Sequence, residues 1–296
     1  MKYAFFLGCN IPARLEQYES ASRAVLSRLG VGLIDYRDFT CCGYPLRNVD
    51  RKAYLLSAAG NLALAERDGV NILSLCKCCF GSLKEAQYLL GGSETLRREI
   101  NDLLKPRDLA YEGRVEVKHL LSVLYHDVGL DALKKKMTRN MKDLKIATHY
   151  GCHALRPSKV TQFDDPVAPT LFDELVRATG AESVEWSEKL NCCGAPLMGI
   201  NDRISMDLTQ KKLDSGRESG ADFLCTACPY CQLQFDQVQS MMAPDGATGG
   251  SLPSILYAQL LGLCMGVDEK VLGLRKNQVA MDNVTSFYNA DFITQE

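Results

Sequence analysis

Ten of the thirteen cysteines fall into one pattern written twice. Cys9, Cys41, Cys42, Cys76 and Cys79 make the first copy, and Cys152, Cys192, Cys193, Cys228 and Cys231 the second. The flanks repeat too: Phe6-Leu7-Gly8-Cys9 answers His149-Tyr150-Gly151-Cys152, and Cys41-Cys42-Gly43-Tyr44-Pro45-Leu46 answers Cys192-Cys193-Gly194-Ala195-Pro196-Leu197. Thiolates grouped in this way are ligands for soft metals, so the repeat predicts two metal sites on two duplicated halves. A structural zinc takes four ligands, and a cubane cluster takes one thiolate per iron. Each half here offers five. Adjacent cysteines do not readily bond to each other, yet both can reach one polynuclear centre where a glycine lets the backbone turn sharply beneath them. Gly43 and Gly194 are predicted to make that turn. The surplus ligand points to a nonstandard iron–sulfur centre. A redox dithiol would not need three companion thiols at metal-site spacing.

The elements that must position these thiols alternate between strand and helix. Lys2 to Leu7 reads as a buried strand delivering Cys9, and Arg14 to Leu29 as a helix with Leu15, Tyr18, Ala21, Val25 and Leu29 on one face. Gly30 stops it. Val31 to Ile34 is a strand, Arg51 to Arg67 a helix, and Asn71 to Leu75 a strand ending at Cys76. The second half repeats this with strands Lys145 to Tyr150, Ser183 to Trp186 and Asp222 to Leu224, and helices Thr170 to Thr179, Arg203 to Ser219 and Tyr230 to Met241. Such alternation predicts an α/β fold of two duplicated cysteine-rich domains, at 1–143 and 144–296, with ligands in loops at the carboxyl ends of parallel strands. Residues 105–143 are expected to add two amphipathic helices carrying His119 and His126, exposed or half-buried, and a solvated basic face at Lys134-Lys135-Lys136. Ala243 to Ser251 reads as a loop, and Ser254 to Met265 as a helix packed back on the second half.

Composition narrows the class. With 296 residues and 46% apolar content, the chain can bury two cores of ordinary size. A net charge of −2 with mixed signs offers no basic field for nucleic acid. No run reaches the ~18 to 20 apolar residues of a membrane span, and Met1-Lys2-Tyr3-Ala4-Phe5-Phe6 is too short for a signal peptide. The expected location is cytoplasmic, where thiols serve as metal ligands more often than as disulfides. No glycine-rich nucleotide signature follows a strand, so flavin or nicotinamide chemistry must reside elsewhere.

These cysteines are also where the chain resembles a known family, the CCG cysteine-rich proteins, and within it the B subunits of heterodisulfide reductases. The likeness covers essentially the whole chain. Beyond the ligands it rests on Ala4-Phe5-Phe6-Leu7-Gly8-Cys9, on Leu75-Cys76-Lys77-Cys78-Cys79-Phe80-Gly81-Ser82-Leu83-Lys84, and on Gly151-Cys152-His153-Ala154-Leu155-Arg156-Pro157-Ser158-Lys159. The resemblance implies two noncubane 4Fe-4S clusters, each on five cysteines, and the mixed disulfide of coenzyme M and coenzyme B as substrate. It also implies a ferredoxin-like iron–sulfur subunit and a flavoprotein subunit as partners. Aligning Cys76-Lys77-Cys78-Cys79-Phe80 on Cys228-Pro229-Tyr230-Cys231-Gln232 selects Cys76 and Cys79 and leaves Cys78 spare. Cys225 is set aside in the same way, and Cys264 is expected to be a buried structural thiol.

Three classes of function are compatible with this pattern. One is a catalytic disulfide-reductase subunit. Another is an electron-relay subunit like those of 2-hydroxyacid, glycerol-3-phosphate or succinate dehydrogenases, although the fused ferredoxin module many of these carry is missing from this sequence. The third, a structural zinc protein, is disfavoured because five ligands overfill a tetrahedron. For the first, His153 beside Cys152 is the candidate proton donor, while strand alternation buries His149. The anionic groups of the implied substrate call for cations near the ligands, and Arg14, Arg47, Lys77, Arg156 and Lys159 are the candidates.

Overall fold

In the computed structural model, which describes residues 1–242 and 250–288, Lys2–Phe6 is a strand (β1) whose last four residues are buried. A strand apolar on both faces must be covered on both, which suits the centre of a parallel sheet. β1 holds that place. Gly32–Ile34 (β2) pairs with it on one side, setting Ala4 opposite Ile34, and Ile72–Ser74 (β3) on the other, setting Ala4 opposite Ile72. Val117–His119 (β4) extends the sheet beyond β3. The second half follows the same plan: Lys145–Thr148 (β5) lies between Glu182–Val184 (β6) and Phe223–Thr226 (β7), and Ser254–Leu256 (β8) pairs with β7. The orders β2-β1-β3-β4 and β6-β5-β7-β8 are the same topology twice, all parallel. This is the expected α/β duplication.

Parallel neighbours cannot be joined by tight turns, so each connection is a helical crossover. Glu16–Arg28 links β1 to β2, Arg51–Arg67 links β2 to β3, and Lys77–Gly91 with Glu94–Leu104 leads to β4. Their counterparts are Leu171–Ala178, Asp202–Glu218 and Pro229–Leu233, the last continuing through a π-turn at Gln234–Val238 into Gln239–Met242. Side chains cap several helix starts, among them those of Arg51–Arg67, where Asp50 accepts from the amides of Lys52 and Ala53 at 3.0 and 2.9 Å, and of Asp202–Glu218, where Asn201 accepts from Ile204 at 3.1 Å.

The fold departs from the sequence reading in three places. Residues 105–143 hold helical segments at 120–128 and Leu130–Lys136, where two helices are expected, but they also contain β4, because Val117 and His119 fill the vacant edge beside β3 and are buried there. His119 is therefore fully buried rather than exposed, while His126 is exposed as expected. The expected helix Ser254 to Met265 begins as β8 and becomes helical only at Tyr257–Cys264. That helix packs not only on the second half but also on Glu16–Arg28 of the first. The contact is reinforced by the Arg28 guanidinium donating to the carbonyls of Met265 and Gly266, and by Lys276 paired with Glu16 at 2.6 Å. Lys134, Lys135 and Lys136 form an exposed face. The loop expected at 243–251 lies, at 243–249, outside the described residues. Among the described residues no helix is long and apolar enough to cross a membrane.

Candidate metal centres

Every motif of the cysteine repeat leaves the carboxyl edge of its sheet. Cys9 follows β1, Cys76 follows β3, Cys152 follows β5 and Cys228 follows β7, while the two double cysteines lie beyond β2 and β6. The following helices hold the double cysteines by their carbonyls. Ser57 and Asn61 donate to the carbonyl of Cys41 at 2.6 and 3.1 Å, and Thr209 donates to that of Cys193 at 3.1 Å. A second brace ties the same helices to those starting at the last ligand pair. The Tyr54 hydroxyl donates to the Ser82 carbonyl at 2.7 Å, and at the equivalent positions Gln234 Nε2 donates to Ser205 Oγ at 2.9 Å. Gly43 and Gly194, at φ of 80° and 94°, turn the chain in the left-handed region beneath each pair, as the sequence predicts.

These motifs enclose two cavities. One is lined by Cys9, Cys41, Cys42, Cys76, Cys78 and Cys79. The other is lined by Cys78, Cys152, Cys193, Cys228 and Cys231. All thirteen cysteines are free. In both sets the last pair and the second vicinal cysteine are buried, whereas the other thiols are more open: Cys9 is exposed and Cys41, Cys152 and Cys192 are partly so. Interacting thiols run from Cys41 through Cys42, Cys79 and Cys76 to Cys228, then through Cys231, Cys193 and Cys192 to Cys152. Hydrogen bonds from Cys41 and Cys79 hold the Cys42 thiol well below its usual range, and those from Cys152 and Cys193 bring Cys192 down to about 2. Thiols are weak donors and weak acceptors, so a buried chain whose members face mainly one another is poorly satisfied as a protein interior. As thiolates around a metal centre they are satisfied, and the donor set fits iron–sulfur chemistry.

The seam between the halves holds groups that sequence reasoning set aside or assigned elsewhere. Cys78, left spare by the repeat, lines both cavities, and its Sγ lies within 4.8 Å of those of Cys76 and Cys228. His153 sits beside it, with Nδ1 3.3 Å from Cys152 Sγ and 3.5 Å from Cys78 Sγ, and Nε2 3.2 Å from the Tyr44 hydroxyl. Burial draws the His153 ring below its usual pKa, so the imidazole is neutral at pH 7. His149 is fully buried, as strand alternation indicates, but neither of its ring nitrogens has a hydrogen-bond partner. It lies within 4.8 Å of the Cys193 and Cys231 sulfurs. An unpaired polar ring aimed at thiols is a second sign that this cavity is built around a bound group.

Of the five cations expected to meet a substrate, Lys77 alone lines one of these cavities, and it is the second rather than the first. The residue is 2% exposed, and its ammonium donates to the carbonyls of His149 and Tyr150 at 3.0 and 2.7 Å, with the Phe172 ring 5.2 Å away. The cause is the direction of the helix Lys77–Gly91, which starts at the seam and sends its first side chain across it. Arg14 is exposed and donates to Gln237 at 3.0 Å, Arg47 is paired with Glu85 at 2.8 Å, Arg156 is exposed, and Lys159 lies 5.6 Å from the Tyr88 ring. Lys212 was missed. It is fully buried, donates to the Glu188 carbonyl, and stands 5.0 Å from the Trp186 ring. Burial brings its pKa down to about 8 against the opposing pull of Cys193 and Cys231. The available signal was its place in the repeat, where Asn61 is its counterpart. Cys225 and Cys264 are buried away from the cavities, as expected of structural thiols.

Comparison with known proteins agrees with the duplicated motif. The CCG cysteine-rich domain profile matches residues 3–84 and again 146–236. The B subunit of a ferredoxin/F420H2-dependent CoB-CoM heterodisulfide reductase from Methanosarcina acetivorans is 37% identical, over 94% of both chains. The 8-methylmenaquinol:fumarate reductase membrane anchor subunit of Wolinella succinogenes is 33% identical over 94% of this chain and 97% of its own. In fold, the chain is similar to a hypothetical protein from Helicobacter pylori, with a TM-score of 0.74 and 18% identity. The match covers 95% of this chain and 52% of that longer one.

Proposed function

The chain belongs to the CCG cysteine-rich domain family, among the B subunits of heterodisulfide reductases, and we propose that it is the disulfide-cleaving iron–sulfur subunit of such an enzyme. The observation that carries this reading is the run of facing thiols through two cavities that share Cys78. Cys9, Cys41, Cys42, Cys76 and Cys79 would hold one centre, and Cys152, Cys192, Cys193, Cys228 and Cys231 the other. Five thiolates exceed the requirement of zinc or of a cubane cluster, which favours a noncubane 4Fe-4S centre in each half. Bound there, such centres supply single electrons and Lewis-acidic iron for the reductive cleavage of a disulfide. The substrate proposed is the CoB-CoM heterodisulfide named for the relatives.

The chain's own residues supply the proton and the orientation. With Tyr44 as donor to His153 Nε2, the ring hydrogen would sit on Nδ1, between Cys152 and Cys78 at the seam. Taking up a proton at Nε2 as it gives up the one on Nδ1, a ring in that position can relay a proton from Tyr44 and solvent to a departing thiolate. Tyr230 lines both cavities, which offers an apolar wall to a substrate lying across them. Arg14, Arg47, Arg156 and Lys159 are proposed for the substrate's anionic ends, outside the cysteine cavities. A ferredoxin-like subunit and a flavoprotein subunit are the proposed electron source.

Anaerobically purified protein is expected to hold about eight irons and about eight sulfides per chain and to cleave the heterodisulfide into two thiols with a reduced viologen as donor. Stoichiometric zinc in place of iron would sink this reading. A second reading, an electron-relay subunit, is supported by the 33% identity to the fumarate reductase subunit. It predicts the same iron content with no disulfide turnover. His153→Gln should keep its iron and lose turnover by about a hundredfold, with KM within a few-fold. Turnover equal to that of the parent would remove His153 from the reaction.

A further inference from the structure

The two halves repeat their thiols but not their charges. Counted from the shared motifs, Lys77 occupies the place of Pro229, Lys212 that of Asn61, and His149 that of Phe6. All three polar residues surround the second set of cysteines, and their neutral counterparts accompany the first. Both lysines are buried, at 2% and 0% exposure. Among the described residues neither is ion-paired with a carboxylate: Lys77 donates to the His149 and Tyr150 carbonyls and Lys212 to that of Glu188. The Glu188 carboxylate is paired with Lys211 at 2.7 Å and accepts from Asn191 at 2.8 Å. An ammonium buried without a counter-ion is costly, and carbonyl dipoles offset only part of that cost. The strongest anionic neighbours are sulfurs, with the Glu188 carboxylate a weaker one of Lys212. Cys231 and Cys228 are the strongest electrostatic neighbours of Lys77, and Cys193 and Cys231 those of Lys212.

Resting on the two-centre reading above, we propose that Lys77 and Lys212 are positioning residues that act on the second centre alone. Their positive charge raises its reduction potential and makes the two halves electrically unequal. The physics is Coulombic. A thiolate-rich centre that gains an electron becomes more anionic, and cations held in a low-dielectric wall favour that form over the oxidised one. The first cavity, flanked by Asn61 and Pro229 in the equivalent places, has no such bias.

The test is a mediated redox titration of the loaded protein followed by electron paramagnetic resonance. Signals are assigned to a half by their loss in Cys42→Ser or Cys193→Ser. Lys212→Met and Lys77→Met, each close to lysine in volume, should move the second centre's midpoint to lower potential by about tenfold in the one-electron equilibrium, ~59 mV, and leave the first centre's midpoint in place. Lys212→Arg, which keeps the charge, should restore it. Because a buried lysine also contributes packing, Asn61→Lys supplies the converse: it should raise the first centre's midpoint and leave the second unchanged. Midpoints unmoved by these changes, or shifted equally in both halves, would overturn the proposal while the iron content upholds the two-centre reading. Protein without iron and sulfide would overturn both.

Discussion

Cys193→Ser is expected to remove about half of the iron and sulfide, all of it from the second half, with the first half still loaded. Cys193 is buried, lines the second cavity, and is hydrogen-bonded to both Cys192 and Cys231, so its loss interrupts the thiol chain at its most enclosed point. A hydroxyl is a poor ligand for iron, and Thr209, on the helix Asp202–Glu218, keeps residue 193 at the cavity by holding its carbonyl. Metal binding is folding free energy in such sites, so the second half should also lose protection from hydrogen exchange. Cys42→Ser should do the same to the first half. Cys225→Ser and Cys264→Ser should retain full iron, at a cost of about 1–3 kcal/mol for a buried hydroxyl. Cys78 is the discriminating position. Cys76→Ser should lose iron and Cys78→Ser should keep it. The reverse outcome would move the first centre's ligand from Cys76 to Cys78, the thiol that lines both cavities. Iron and sulfide analysis of each variant, with hydrogen exchange read by half, checks the set.

Gly194→Ala should be among the most destabilising single methyl additions in the chain. Gly194 sits at φ +94°, and an added Cβ would collide with the Ser205 carbonyl oxygen and stand 3.2 Å from its carbon. These are backbone atoms inside a helix and cannot swing aside. Left-handed strain of about 1–2 kcal/mol adds to overpacking of about 1–3 kcal/mol, a large share of the about 5–15 kcal/mol that holds a typical domain folded. Gly43→Ala, with φ +80° and the Tyr54 backbone oxygen at 2.8 Å, should follow closely. Gly30→Ala separates the two causes: its φ is +70°, but nothing lies within 4 Å of the added carbon, so it should cost only the strain, about 1 kcal/mol. Denaturant unfolding of the three variants should rank them Gly194, Gly43, Gly30. A Gly194 variant as stable as the Gly30 variant would mean that the turn can open, and would weaken the case for a rigid vicinal pair beneath each centre.

The duplicated cysteines, the glycine turns beneath them and the α/β alternation are local patterns, legible in the chain because they are set by spacing and by apolar runs such as Tyr3–Phe6 that only a two-sided burial satisfies. From them follow the parallel sheets, the ligand-bearing carboxyl edges and the burial of His149 and Cys264. The edge strands β4 and β8 were not visible because three residues of strand carry too little pattern to outweigh the helical segments beside them. Their place depends on an open edge supplied by distant residues.

The amino-acid sequence by itself determined that there are two five-thiol sets on two copies of one fold. Only the tertiary structure decided how the copies meet. Lys77 follows Cys76 of the first half in the chain, yet its ammonium rests on second-half carbonyls, because a helix start aims its side chains across whatever faces it. Cys78 is spare by repeat alignment and shared by position, and Lys212 is one lysine of a helix in sequence and a buried charge beside the second thiol set in space. The reason is physical. Ligand identity follows from side-chain chemistry and local spacing, which a chain carries with it, whereas burial, charge compensation and the sharing of a seam arise from surfaces that meet only when both halves have folded.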